Sequence, residues 1–260
     1  MRAMYIAATG LAAQQLNVEV IANNLANVST IGFKRGIANF QDLLYQTLKA
    51  PGSSNGTRTL PVGIQVGSGV RPESAHRIFT QGEFRRTDGE FDIAIEGRGF
   101  FQVALDDGSI VFTRSGAFEL DKDGNIVTAE GNSIEPPISI PADTESVTIS
   151  PTGIVEALPT GGGAAVQVGT LQLARFINPA GLISIGRNLY QESLGAGEKV
   201  VGAPGDPGFG RTLQKTVEWS NVNIAEEMIN MIIAQRSYEV NSKAIQTGDD
   251  MLGVVNTLKR

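Results

Sequence analysis

Ile224-Ala-Glu-Glu-Met-Ile-Asn-Met-Ile-Ile-Ala-Gln-Arg-Ser-Tyr-Glu-Val-Asn-Ser-Lys-Ala-Ile245 decides how this chain is read. Ile224, Met231, Tyr238, Ile245 and Leu252 recur every seven residues, the spacing that keeps one apolar line facing a partner helix. At the other end of the chain Met4, Leu11, Val18 and Leu25 repeat that spacing, with Ala8, Ile21 and Ala22 beside the line. Long amphipathic helices are therefore predicted over residues 3–26 and from Asn223 onward. The second is apolar over more than one stripe, since Met228, Ile229, Ile232 and Ile233 widen the seam and Val240, Val254 and Val255 lie off it. A helix of that kind requires neighbours on several sides. The pattern predicts that the two ends pair and that further copies of the chain complete their burial.

Between the helices the period changes from seven to two. Phe91, Ile93 and Ile95 alternate with Asp92, Ala94 and Glu96, the signature of a half-buried strand. Strands are expected at 100–105, 110–114, 117–121 and 125–129, separated by Asp106-Asp107-Gly108 and Asp121-Lys-Asp-Gly-Asn125. Asp-Gly steps supply the positive φ of tight hairpins. Shorter strands follow at 146–150, 153–157, 166–168 and 171–177, with a returning strand at 214–219. Gly32 reads as the left-handed stop of the first helix, and a short helix fits 37–48 through Phe40, Leu43, Leu44 and Leu48. Residues 51–69 read as an extended excursion with Val62, Ile64 and Val66 alternating, and 195–210 as a mobile loop. The class is α+β: terminal helices paired as a coiled coil, an inserted, mainly antiparallel β domain, and a β-rich connector. The expected division is 1–30 with 221–260, 31–90 with 190–220, and 91–189.

Composition excludes much. With 27 acidic and 21 basic residues and no basic run, the chain offers nucleic acid no track. No stretch is long and apolar enough to span a bilayer, which argues against membrane insertion. Gln14, Gln15 and Asn17 interrupt the N-terminal apolar run, so a helix that is retained is expected there rather than a cleaved signal. A Ser-His-Asp triad would have to use His76, the one histidine, whose context Ser74-Ala-His-Arg77 has no special feature, and with one histidine and no cysteine there is no thiolate or zinc set to assemble. The Asp121 loop lacks the glycine and glutamate of a calcium loop, having Ile126 and Asn132 at those places. No cofactor, metal or catalytic residue is expected.

The ends carry a resemblance. Ile21-Ala-Asn-Asn-Leu-Ala-Asn-Val-Ser-Thr-Ile-Gly-Phe-Lys34 and Ser220-Asn-Val-Asn-Ile-Ala-Glu-Glu-Met-Ile-Asn-Met231 resemble the terminal signatures of the bacterial flagellar rod, hook and hook-associated axial proteins. Gly97-Arg-Gly-Phe-Phe-Gln-Val103 and Phe112-Thr-Arg-Ser-Gly-Ala-Phe118 are similar to that family's central block. Within the family, Phe40-Gln-Asp-Leu-Leu-Tyr-Gln46, the excursion after it and Gly69-Val-Arg-Pro72 look most like the distal part of the rod, with the proximal rod subunits next. The resemblance implies a structural homo-oligomer, a helical tube around an export channel that transmits torque. Its implied partners are proximal rod subunits, hook protein, surrounding ring proteins and the flagellar export apparatus. The self-assembly set is then Met4, Leu11, Val18, Ile21, Leu25, Ile224, Met228, Met231, Tyr238, Ile245 and Leu252, with the family motif at Asn23, Asn24, Asn27, Gly32, Phe33 and Lys34. The asparagine amides read as groups that fix register between packed helices. A secreted β-rich adhesin or a cell-wall glycan hydrolase is the competing reading.

Overall fold

The structure is a computed structural model and describes residues 2–50, 62–161 and 163–258. It is α+β, with one long helix at each end and a large antiparallel β region. The chain divides into two compact units, one formed by Met1–Leu25, Gly36–His76 and Asn223–Arg260, the other by Ala26–Arg35 and Arg77–Val222.

In the first unit helix α1 spans Arg2–Ala26 and helix α2 spans Ile224–Leu258. At 1.5 Å per residue α2 is about 50 Å long. Its first turn is capped as the sequence suggests: Asn223 Oδ1 accepts from the amides of Ala225 (3.0 Å) and Glu226 (3.4 Å), and Glu226 and Glu227 place negative charge at the positive end of the helix dipole. The two helices touch at Met4 against Gly248 and at Gly10 against Asn241, and Asn24 donates to Glu227 at 3.1 Å. Numbers that rise along α1 while falling along α2 mean the helices run in opposite directions.

The expected helix over 37–48 does not form. Gly36–Asp42 is a strand paired with Val70–Arg77, and Tyr45–Lys49 pairs with Ile64–Gly67 in the register Tyr45↔Gly67 and Gln46↔Val66. Spacings of three and four between Phe40, Leu43 and Leu44 fit a helix locally, but long-range pairing overrides them. Asn24 fixes the start of the first strand, its amide accepting from Gly36 N (2.8 Å) and donating to Gly36 O (2.9 Å). At the far end Leu43 N donates to Gly69 O (2.9 Å), Gly69 lies against Thr9, and Val70 N donates to Thr9 Oγ1 (3.3 Å). The alternation at Val62, Ile64 and Val66 thus marks a real hairpin arm from residue 64; residues 51–61 of the excursion lie outside the described residues.

In the second unit a nine-stranded sheet runs in the order Ile183–Gly186, Leu189–Gln191, Ile110–Thr113, Phe100–Ala104, Ser133–Glu135, Ile126–Thr128 and Phe118–Leu120, with Leu173–Arg175 joining Phe100–Ala104 to Val200–Gly202. Both Asp-Gly hairpins form where expected, with Gly108 and Gly124 at φ 78. A three-stranded sheet of Thr144–Ile149, Ile154–Pro159 and Val166–Thr170 lies beside them in sequence. Ile93, Ile95, Phe101, Phe118, Ile126 and Ile134 belong to one buried core, and Phe100, Phe112, Phe176 and Tyr190 to a second, in which Phe112 and Phe176 meet edge to face at 4.8 Å.

Three expectations are corrected in this unit. Helix α1 ends at Ala26, six residues before Gly32, so Gly32 is not its stop. The returning strand is two: Lys215, left-handed at φ 56, separates Arg211–Gln214, which pairs with Ile93–Glu96, from Thr216–Glu218, which pairs with Phe84–Arg86. The 195–210 segment is ordered, for it contains the strand Val200–Gly202 and a closed turn in which Gly205 N donates to Gly210 O (2.8 Å). The unforeseen hairpin of Ile183–Gly186 and Leu189–Gln191 turns on Gly186, Arg187 and Asn188, all three at positive φ.

Gly116 tests the packing directly, because a methyl there would sit on the carbonyl oxygen of Ile93. Gly116→Ala should destabilise this unit by about 3 kcal/mol, whereas Gly108→Ala, which faces open space, should cost only about 1 kcal/mol of backbone strain. Urea unfolding followed by the fluorescence of the single tryptophan, Trp219, measures both.

Candidate assembly face and its buried anchor

The apolar residues expected to mediate self-association lie in the first unit. Large apolar side chains of α2 point into solvent: Ile224 is 50% exposed, Met228 53%, Ile232 56% and Tyr238 44%. An apolar surface of this extent on a helix marks an interaction site. Of the residues expected to mediate self-association, Ile21 is buried, Met4, Leu11, Val18, Leu25, Met231 and Ile245 are half-buried, and Ile224, Met228, Tyr238 and Leu252 are exposed. Val18 lines a shallow depression with Gln15, Glu19, Gln235, Tyr238 and Glu239. The contacts between α1 and α2 also use the other core line of the heptad, where α2 carries Glu227, Ala234, Asn241 and Gly248. That line contains no large apolar residue, so a search for apolar seams passes it by.

The motif residues divide between the two units. Asn24 is buried in the first, beside Glu227, while Asn23 is exposed. In the second, Asn27 Oδ1 accepts from Thr30 Oγ1 (3.2 Å). Gly32 stands at φ 70 with a virtual Cβ 2.5 Å from Ser115 N, so glycine alone lets the chain pass this close. Phe33 is buried under the Arg77 guanidinium, 4.8 Å from its ring centre.

Lys34 is fully buried, and this is the feature the sequence concealed. Its Nζ lies 2.6 Å from Glu218 Oε1 and donates to Thr80 O at 2.7 Å. The other carboxylate oxygen of Glu218 accepts from Arg114 Nε (3.0 Å) and lies 2.8 Å from Arg114 Nη2, a two-pronged grip. Gly82 N adds a further donor to Glu218 Oε1 at 2.9 Å. Arg114 spends its remaining donors on the carbonyls of Gly97, Gly99 and Ile95. Asn221 extends the knot, accepting from Arg35 N (2.7 Å) and donating to Ile78 O (2.9 Å). Burial pushes the Lys34 ammonium below the ordinary lysine value, opposed by the Glu218 charge and reinforced by Arg114; burial lowers the Arg114 guanidinium too, with Glu218 opposing. Glu218, Arg114, Thr80 and Asn221 were not foreseen. The one available signal was Lys34 and Arg114, cations standing inside motifs that otherwise read as packing.

Three family models cover the places where these features lie. "Flagella basal body rod protein" matches residues 4–34, "Flagellar hook protein FlgE/F/G D1 domain" 94–157, and "Flagellar basal body rod FlgEFG protein C-terminal" 213–258. The flagellar basal-body rod protein FlgG of Borreliella burgdorferi is 48% identical over 263 residues, covering 100% of this chain and 99% of that protein. The chain belongs to the flagellar basal-body rod protein family. FlgG of Caulobacter vibrioides is 46% identical and that of Bacillus subtilis 35%, each over the full length of both chains. This rod protein is accordingly a structural component of the flagellar basal body and not an enzyme. Among the described residues no helix is long and apolar enough to cross a membrane.

The buried anchor holds two cations against one anion, which makes the three residues unequal. Glu218→Gln leaves two buried cations facing an amide and should cost about 3–5 kcal/mol. Lys34→Met leaves the Arg114–Glu218 pair neutral and should cost about 1–3 kcal/mol. Trp219 fluorescence in urea reads both, and equal losses would contradict this charge count.

Proposed function

We propose that this rod protein builds the distal segment of the flagellar rod, where copies polymerise into a helical tube that carries motor torque to the hook. On this reading α1 and α2 form an antiparallel coiled coil that lines the tube around the export channel, and the β region is an inserted body on the outside. The division 1–30 with 221–260, 31–90 with 190–220, and 91–189 then corresponds to inner helices, connector and outer domain. The subunit leaves the cytoplasm through the flagellar export apparatus without cleavage and assembles between the periplasm and the level of the outer membrane. It meets proximal rod subunits on one side, hook protein on the other, and ring proteins around it.

The observation that carries this reading is the exposed apolar surface of α2 in a chain whose full length matches rod proteins. A helix about 50 Å long with Met228, Ile229, Ile232 and Ile233 open to water gains most by burying them against identical neighbours. Torque would then pass through many parallel contacts between helices instead of through one joint.

Ile232 is more than half exposed in the single chain, so Ile232→Asp leaves the subunit folded and places a carboxylate in the tube wall. With about 2 kcal/mol lost per subunit contact, the concentration needed for polymerisation should rise at least about thirtyfold. Sedimentation and electron microscopy across a concentration series provide the readout. Tubes forming at the unsubstituted threshold would sink the proposed face.

A further inference from the structure

We infer that Asn24 and Glu227 set the axial register of α1 against α2. Both side chains are buried, Asn24 at 2% and Glu227 at 1% exposure. Asn24 is held from a third direction, because its Oδ1 accepts from Gly36 N (2.8 Å) while one amide hydrogen goes to Gly36 O (2.9 Å). The amide plane cannot swing, and its other hydrogen points at Glu227 Oε2, 3.1 Å away. The strand that begins at Gly36 therefore aims the α1 side chain at a single position on α2.

The rest of the helix contact supplies little register of its own. Gly10 meets Asn241 and Met4 meets Gly248, and Ala234 occupies the heptad position between Glu227 and Asn241. Apart from Met4 these side chains are small or amide and bury little apolar area, so a slide of seven residues, about 10.5 Å, exchanges contacts of similar worth. The polar pair does not survive that slide. Moved one way, Asn24 faces Ala234, its amide hydrogen has no acceptor there, and Glu227 passes beyond Ala26, where α1 ends; moved the other, Asn24 passes beyond Ile224, where α2 begins, and again loses its acceptor. Either displacement leaves a buried polar group without its partner, the situation that singles out one register among otherwise similar ones. The register follows from contacts within one chain, whereas its consequence for assembly rests on the rod reading: the outward apolar residues of α2 keep a fixed height relative to those of α1.

The chain has no cysteine, so introduced pairs report alone. Gly10→Cys with Asn241→Cys probes the register described; Gly10→Cys with Ala234→Cys and Gly10→Cys with Gly248→Cys probe slides of seven residues in each direction. The full chain is oxidised at a concentration where circular dichroism shows both helices formed, and intramolecular disulfides are read by mobility and peptide mass. In the unsubstituted seam the first pair should close at least about tenfold faster than the other two. With Asn24→Leu and Glu227→Leu together the slid pairs should close within about threefold of the first, and Glu227→Gln, which keeps the acceptor oxygen, should preserve the original preference. If the doubly substituted chain forms no helices, Glu227→Ala replaces it under the same criterion. Slid pairs that close readily in the unsubstituted seam, or that stay silent once the polar pair is gone, overturn the assignment. Correct register in a chain that never makes tubes would refute the rod reading and leave the register standing.

Discussion

A carboxylate without access to water, gripped by an ammonium on one oxygen and a guanidinium on the other, is the constraint on which the β unit depends. Glu218 brings together residues far apart in sequence: Lys34 from the segment after α1, Gly82 from the approach to the sheet, and Arg114 from the end of a central strand. Two cations facing one anion leave a surplus of positive charge, and the fold answers it with peptide dipoles. The carbonyls of Thr80, Ile95, Gly97 and Gly99 all turn their oxygens inward to it. A site of this kind is a poor source of net stability, since desolvation consumes most of what the charges return. What it does supply is discrimination, because misplacing any one of these segments leaves a bare charge in the interior.

The helical unit is organised by the opposite economy of side chains. Along the line Glu227, Ala234, Asn241 and Gly248 the side of α2 that meets α1 carries small or polar residues, while Ile224, Met228, Ile229, Ile232, Ile233 and Val240 of α2 are exposed to solvent. A self-sufficient helical hairpin would reverse that arrangement. Here the residues with most to gain from burial are kept for surfaces that one chain does not cover, which ties sequence pattern to function through packing. It also explains why a protein with no catalytic constellation carries such distinctive termini.

Much of the architecture was legible because it rests on local period. Sevenfold spacing located both helices, Asn223 announced the start of α2, and Asp-Gly steps marked two hairpins. What escaped notice depends on partners distant in sequence. Residues 37–48 carry a helical spacing but become strands because Asn24 and two other strands capture them. Lys215 is left-handed without glycine, so nothing in composition flags it, whereas Gly186 and Asn188 are residue types that favour the positive φ they adopt at their turn. The apolar residues left open on α2 were legible in its sequence, yet the line of contact between the helices was not, since polar and small positions give no hydrophobic signal. Glu218 stayed hidden for a similar reason: one acid among many, it acquires meaning only when two cations converge on it.

One agreement of lengths in the helical unit has a mechanical meaning. The strand Gly36–Asp42 is fastened to α1 at Asn24 where it begins, and through Leu43, Gly69 and Val70 to Thr9 where it ends. Fifteen residues of helix cover about 22 Å, and seven residues of strand about 23 Å. The strand thus works as a splint lashed at both ends to the helix it parallels. Bending α1 over that interval must stretch or crumple the brace, so flexural stiffness is already present in the subunit before any neighbour arrives.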